Sequence, residues 1–219
     1  MVLFTFHARC VILLIIHAEG DTKQMQFSAE DFEKSMSFGF YFDTREAAKR
    51  ALLFLFDELR EYLKEWIVRT VDEQTGAVHD GIFTVHLAQA AELLLKNPTA
   101  RAYGSYLAAV GEVPLCLYAQ AYDEKAGAVL LQLPRAFVLK PNTDFSVLSA
   151  ILLNAMEDVQ AFMPYRYAFC DTQGAVQCTP QMLQDDATLC PYSLLLFVGE
   201  AETEVRLGAT ELDENPREF

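Results

Sequence analysis

Basic residues are scarce in this chain of 219 residues: 17 Lys and Arg stand against 31 Asp and Glu, for a formal net charge of −14. Such a surface repels phosphate backbones and anionic lipid, which disfavours direct nucleic-acid or membrane-surface binding. No apolar stretch approaches the length of a membrane span. The run Val11–Ile16 behind Arg9 is short for a signal core, and His17-Ala18-Glu19-Gly20 is a poor cleavage site, so a cytoplasmic protein is expected. Internal repeats and low-complexity tracts are also missing.

Catalytic motifs are equally sparse. The sequence holds no G-x-G-x-x-G, no phosphate-loop lysine motif, no G-x-S-x-G and no H-E-x-x-H. Only four histidines occur, His7, His17, His79 and His86. His79-Asp80 forms an HD dipeptide, but beside Gly81 it reads as a turn. The five cysteines, Cys10, Cys116, Cys170, Cys178 and Cys190, form no C-x-x-C pair and have no His at ligand spacing. They read as free thiols in a reducing compartment, with no metal and no cofactor expected.

What is abundant is apolar and aromatic. Hydrophobic residues make up 52%, with 16 Phe and 9 Tyr, enough to build a substantial core without disulfides. Val2–Phe6, Cys10–Ala18 and Ser37–Phe42 read as strands. Asp43 with Glu46 suggests a capped helix start, and Ala48, Leu52, Leu55, Leu59, Tyr62 and Trp66 follow at helical spacing. That stripe predicts a helix over 44–71. Residues 84–96 predict another, and Asn97-Pro98 a third, ending at Gly111. From Val113 the pattern turns to period two, predicting a hairpin through 133. Phe145, Leu148, Ile151, Leu152, Ala155, Met156, Val159 and Phe162 predict a second long helix over 143–162. Tyr165–Cys170 with Ala175–Cys178 suggests a hairpin, Thr179-Pro180 a short helix, Tyr192–Val198 a buried strand and Thr203–Leu207 its partner.

The expected fold is therefore α+β: one domain over 1–208, a largely antiparallel sheet packed against two long amphipathic helices plus shorter ones. The change of pattern near Gly111 is where two subdomains could divide, and 209–219 reads as a flexible acidic tail.

Two surfaces stand out as candidate sites. Glu200, Glu202 and Glu204 alternate, so an extended backbone puts them on one face. Asp185, Asp186 and the tail acids Glu211, Asp213 and Glu214 extend that acidic patch. Tyr103 with Tyr106, three apart on the expected third helix, and Tyr118 with Tyr122 form an aromatic surface suited to interfaces. The balance suggests a protein that binds a basic protein partner, such as a toxin or nuclease, and occludes it in the manner of an immunity or inhibitor protein. A further reading is a homodimer or other homo-oligomer, which a large exposed apolar patch would signal. The alternative is an enzyme or small-ligand binder whose site is assembled from scattered residues, His79, His86 and carboxylates among them.

Overall fold

A computed structural model describes residues 32, 35–59, 66–72, 74–83, 86–108, 111–121, 125–135, 145–172, 175–199 and 202–208. Its frame is one nine-stranded antiparallel sheet with four helices among the described residues. The strands are β1 (Ser35–Phe42), β2 (Trp66–Val71), β3 (Val78–Phe83), β4 (Arg101–Ala108), β5 (Gly111–Ala121), β6 (Gly127–Pro134), β7 (Tyr167–Asp171), β8 (Leu194–Val198) and β9 (Thr203–Leu207). Their order across the sheet is β3-β2-β4-β5-β6-β1-β7-β8-β9. The helices are α1 (Arg45–Leu59), α2 (Leu87–Lys96), α3 (Phe145–Gln160) and α4 (Pro180–Asp185).

Period-two burial on both faces of the central strands explains the layering. Phe38, Phe40 and Phe42 of β1 point to one side, with Leu115 and Leu117 of β5 and Leu131 and Leu133 of β6. The apolar stripes of α1, α2 and α3 pack on that side. Three connections put them there: β1 to β2 through α1, β3 to β4 through α2, and β6 to β7 through α3. Each returns to the sheet beyond at least one intervening strand. The opposite face carries Tyr41, Tyr118, Leu130, Tyr167, Phe169, Leu195 and Phe197, covered in part by Val176, Cys178, Leu183 and Tyr192.

The helical expectations need correcting. The first helix stops at Leu59, and Trp66–Val71 is a strand instead of its last turns. Trp66 happens to continue the helical stripe, but Trp66 and Val68 are buried at period two, which suits a strand. At 15 and 16 residues, α1 and α3 are helices of ordinary length. The cap of α1 is Thr44, whose Oγ1 accepts the Ala47 N–H at 3.1 Å, not Asp43. No helix starts at Asn97-Pro98; residues 101–108 form β4, which pairs with β5 across Gly111. Asp80-Gly81 lies inside β3, and the turn sits earlier, where Asp72 Oδ1 accepts from the Gln74 and Thr75 backbones and Gly76 takes a φ of 69°. Residues 175–178 form no strand, so the expected hairpin with β7 is absent; β7 pairs with β1 and β8. Val2–Phe6, Cys10–Ala18 and the tail from 209 lie outside the described residues. Among the described residues, no helix is long and apolar enough to cross a membrane.

Candidate functional site at the α4–β9 corner

The acidic residues of α4 and β9 meet at one corner of the sheet. Pro180 opens α4, and the Thr179 side chain caps it by accepting the Met182 N–H at 3.1 Å. Leu183 anchors the helix on the sheet, and Asp185 and Asp186 at its end are exposed. β9 arrives by a tight hairpin from β8, closed by Gly199 N–H donating to the Glu202 carbonyl at 3.0 Å. A Cβ at position 199 would come within 2.8 Å of that carbonyl, so the turn needs glycine there.

Arg206 ties the two elements together. It is 9% exposed, and its guanidinium reaches five acceptor contacts. Nη1 donates to the Asp186 and Leu189 carbonyls, at 3.0 and 3.1 Å, and Nη2 to the Leu183 carbonyl at 2.8 Å. Nε and Nη2 both reach Glu204 Oε2, at 3.1 and 2.6 Å. The cation thus satisfies carbonyls at and beyond the C-terminal end of α4, where the helix dipole favours positive charge. Its donors are committed, so Arg206 holds the corner together instead of presenting charge to a ligand.

The four acidic residues are consequently unequal. Glu204 is neutralised by Arg206. Asp186 closes a turn, accepting from the Thr188 hydroxyl at 2.6 Å and its N–H at 2.8 Å, and those bonds hold its carboxyl below the usual range. Among the described residues, Asp185 accepts only from Gln181 Nε2 at 2.7 Å, across one helical turn. Glu202 is exposed at the foot of β9. Asp185, Asp186 and Glu202 therefore carry the outward-facing negative charge of this corner. Between the elements lies a cleft of about 230 Å³, floored by Phe197 and edged by Arg166, Gln184, Glu202, Glu204 and Arg206. It falls below the size of ordinary small-ligand pockets. Glu200, Glu211, Asp213 and Glu214 lie outside the described residues.

Of the four tyrosines expected to form an aromatic surface, the side chains of Tyr103 and Tyr118 are described. Tyr103 and Tyr106 sit on strand β4, not on a helix. Tyr103 is half-buried between Phe32, at a centroid distance of 5.7 Å, and the Arg69 guanidinium, at 5.5 Å. Tyr118 is only 4% exposed, covered by the Arg101 guanidinium at 4.1 Å, and burial pushes its hydroxyl up to about 12. A ring so enclosed belongs to the core. Tyr122 and the Tyr106 side chain are outside the described residues.

His79 is exposed in β3 opposite Thr70, and His86 precedes α2 without a side-chain capping bond. Asp80, next to His79, is gripped by Arg69 through two hydrogen bonds of 2.8 Å, which lower its carboxyl. Among the described residues, no group of three His, Cys, Asp or Glu is placed to hold a metal ion. Cys116, Cys170 and Cys178 are buried thiols, and burial raises all three. Arg206, Arg166 and Gln184 were not visible as site residues in the sequence. The available signal was that Arg206 is a lone cation following Glu200, Glu202 and Glu204 at alternating positions.

The chain matches no protein-family model, no curated protein and no solved structure.

Proposed function

We propose that this is an acidic binding protein that recognises a basic protein partner through the α4–β9 corner and occludes the surface it covers. The observation that carries the reading is that Arg206 bonds both Glu204 and the backbone at the end of α4, which brings the exposed Asp185 and Asp186 of that end to the corner where Glu202 is exposed beside the neutralised Glu204. The net charge of −14 adds long-range attraction for a cationic partner. Exposed carboxylates of this kind speed encounter more than they deepen affinity, because they are screened within about 8 Å at physiological salt. An immunity- or inhibitor-type role in a cytoplasmic setting fits that mechanism.

The test is capture from native lysate on immobilised protein, followed by association kinetics of the captured partner across a salt series. A basic partner should bind, and the double variant Asp185→Asn with Glu202→Gln should associate more slowly with a flatter salt dependence. A captured partner that is not basic, or an unchanged on-rate and salt slope in the variant, argues against the corner.

A further inference from the structure

We propose that β9 is a self-pairing edge: two copies of this chain join antiparallel about Val205 and fuse their sheets into one. This does not rest on the basic-partner reading above.

The backbone supplies the first argument. Gly208 N–H donates to the Ser193 carbonyl and Gly199 N–H to the Glu202 carbonyl, so these are hydrogen-bonded pairs of the β8–β9 ladder. Bonded and non-bonded pairs alternate in an antiparallel ladder. Leu195–Arg206 and Phe197–Glu204 are then also bonded pairs, while Thr203, Val205 and Leu207 lie in non-bonded pairs. Those three residues therefore turn their N–H and C=O groups away from β8. Among the described residues β9 is the last strand of the sheet, so these groups lie along an edge that no described strand covers.

The side chains supply the second. Val205 is 48% and Leu207 69% exposed, and both lie on the helix-bearing face beside Leu196 and Leu194. A two-fold axis at Val205 places Val205 against its own copy and Leu207 against Thr203. On the other face it sets Glu204 opposite Arg206 in both directions. Each outward backbone group then meets its complement, and the internally bonded Glu204–Arg206 pairs of the two copies lie head to tail, so no like charges stand opposite each other. The segment Thr203-Glu204-Val205-Arg206-Leu207 is thus complementary to itself in one register, as a two-fold interface requires. The other edge does not share this: the same operation about the middle of β3 sets Asp80 against Asp80.

A five-residue edge is small beside the ~1,600 Å² of a stable interface, so micromolar association is expected. Sedimentation of the full chain at about 100 µM should show a species of about 49 kDa, twice 24.7 kDa, dissociating on dilution. Val205→Pro removes an outward N–H that the β8 ladder does not use, a position where an edge strand tolerates proline. It should abolish the dimer with the far-ultraviolet spectrum unchanged. Val205→Cys should form a covalent dimer on mild oxidation, since facing Cα atoms at the axis are about 5.5 Å apart. Leu207→Cys should not, because the two copies lie roughly 13 Å apart along the strands. A wild type that stays monomeric at 100 µM, a folded Val205→Pro dimer, or equal cross-linking at both cysteines and in the wild type would each overturn the proposal.

Discussion

The ring of Phe169 lies directly across the bare Cα of Gly39. A Cβ at position 39 would sit 2.1 Å from two of its ring carbons. The two residues face each other on β1 and β7, and Tyr192 stacks on the outer side of Phe169 with ring centroids 4.0 Å apart. Gly39 thus lets an aromatic pair lie flat on the centre of the sheet. Gly39→Ala should displace that stack and cost about 1–3 kcal/mol or more, as overpacking does. Urea denaturation measures it. An unchanged midpoint would mean the stack slides aside freely.

Removing the Arg206 guanidinium should expose what it holds. Arg206→Met removes the cation from the Leu183 and Leu189 carbonyls and from the Glu204 carboxylate, and a loss of about 1–3 kcal/mol is expected. Arg206→Lys should recover only part, since an ammonium lacks the planar fork of donors. The loss should be local as well as global. Hydrogen exchange over 180–189 should accelerate ahead of the central strands, and uniform acceleration across the sheet would contradict the clamp.

Alkaline pH should destabilise the fold. Burial pushes the Cys116 thiol up to about 12 from 9.0, and the Tyr118 hydroxyl up to about 12 from 10.0. Both groups are neutral in the folded state where the unfolded chain ionises. Their stabilising effect is complete below about pH 9 and is lost as pH climbs toward 12. The melting temperature should therefore fall between about pH 8 and 10.5, while native Cys116 stays inert to thiol reagents. A flat melting profile over that interval would show that these groups are not enclosed.

Trp66 has a buried indole N–H with no hydrogen-bond partner among the described residues, while its ring meets Phe56 edge-on at 4.8 Å. Trp66→Phe deletes the unpaired donor and keeps much of the packing. It should cost less than about 1 kcal/mol, against about 3–5 kcal/mol for Trp66→Ala. A phenylalanine variant as unstable as the alanine one would point to a partner for the indole.

The parts of the fold legible in the sequence are those where one periodicity prevails over a long stretch. Leu115, Leu117 and Ala119 alternate with Cys116 and Tyr118, and β5 forms there with its return strand β6. Ala48, Leu52, Leu55 and Leu59 form the buried stripe of α1. Reading failed where two signals coincide. Trp66 lies at helical spacing from Leu59 and at strand spacing from Val68, and Asn97-Pro98 reads as a helix start although the run Arg101–Ala108 is a strand between β2 and β5. Gly104 within that run was the contrary sign. The acidic corner was legible as charge, because alternation alone puts Glu202 and Glu204 on one face. Its internal neutralisation was not, because Arg206 meets the α4 carbonyls only through the tertiary fold.

The position of β1 constrains how the chain can fold as it is made. It is the first strand in the described chain, yet it lies between β6 and β7, with Ser35 opposite Pro134 and Ser37 opposite Asp171. Both edges of β1 therefore wait, unpaired, while about a hundred residues or more are synthesised at roughly 5–20 per second. Contacts so distant in sequence make for slow folding. During that interval Phe38, Phe40 and Phe42 lack the two strands that flank β1 in the described sheet. A ribosome-stalled chain ending before β6 should be aggregation-prone and dependent on chaperones, and one that extends past β7 should not.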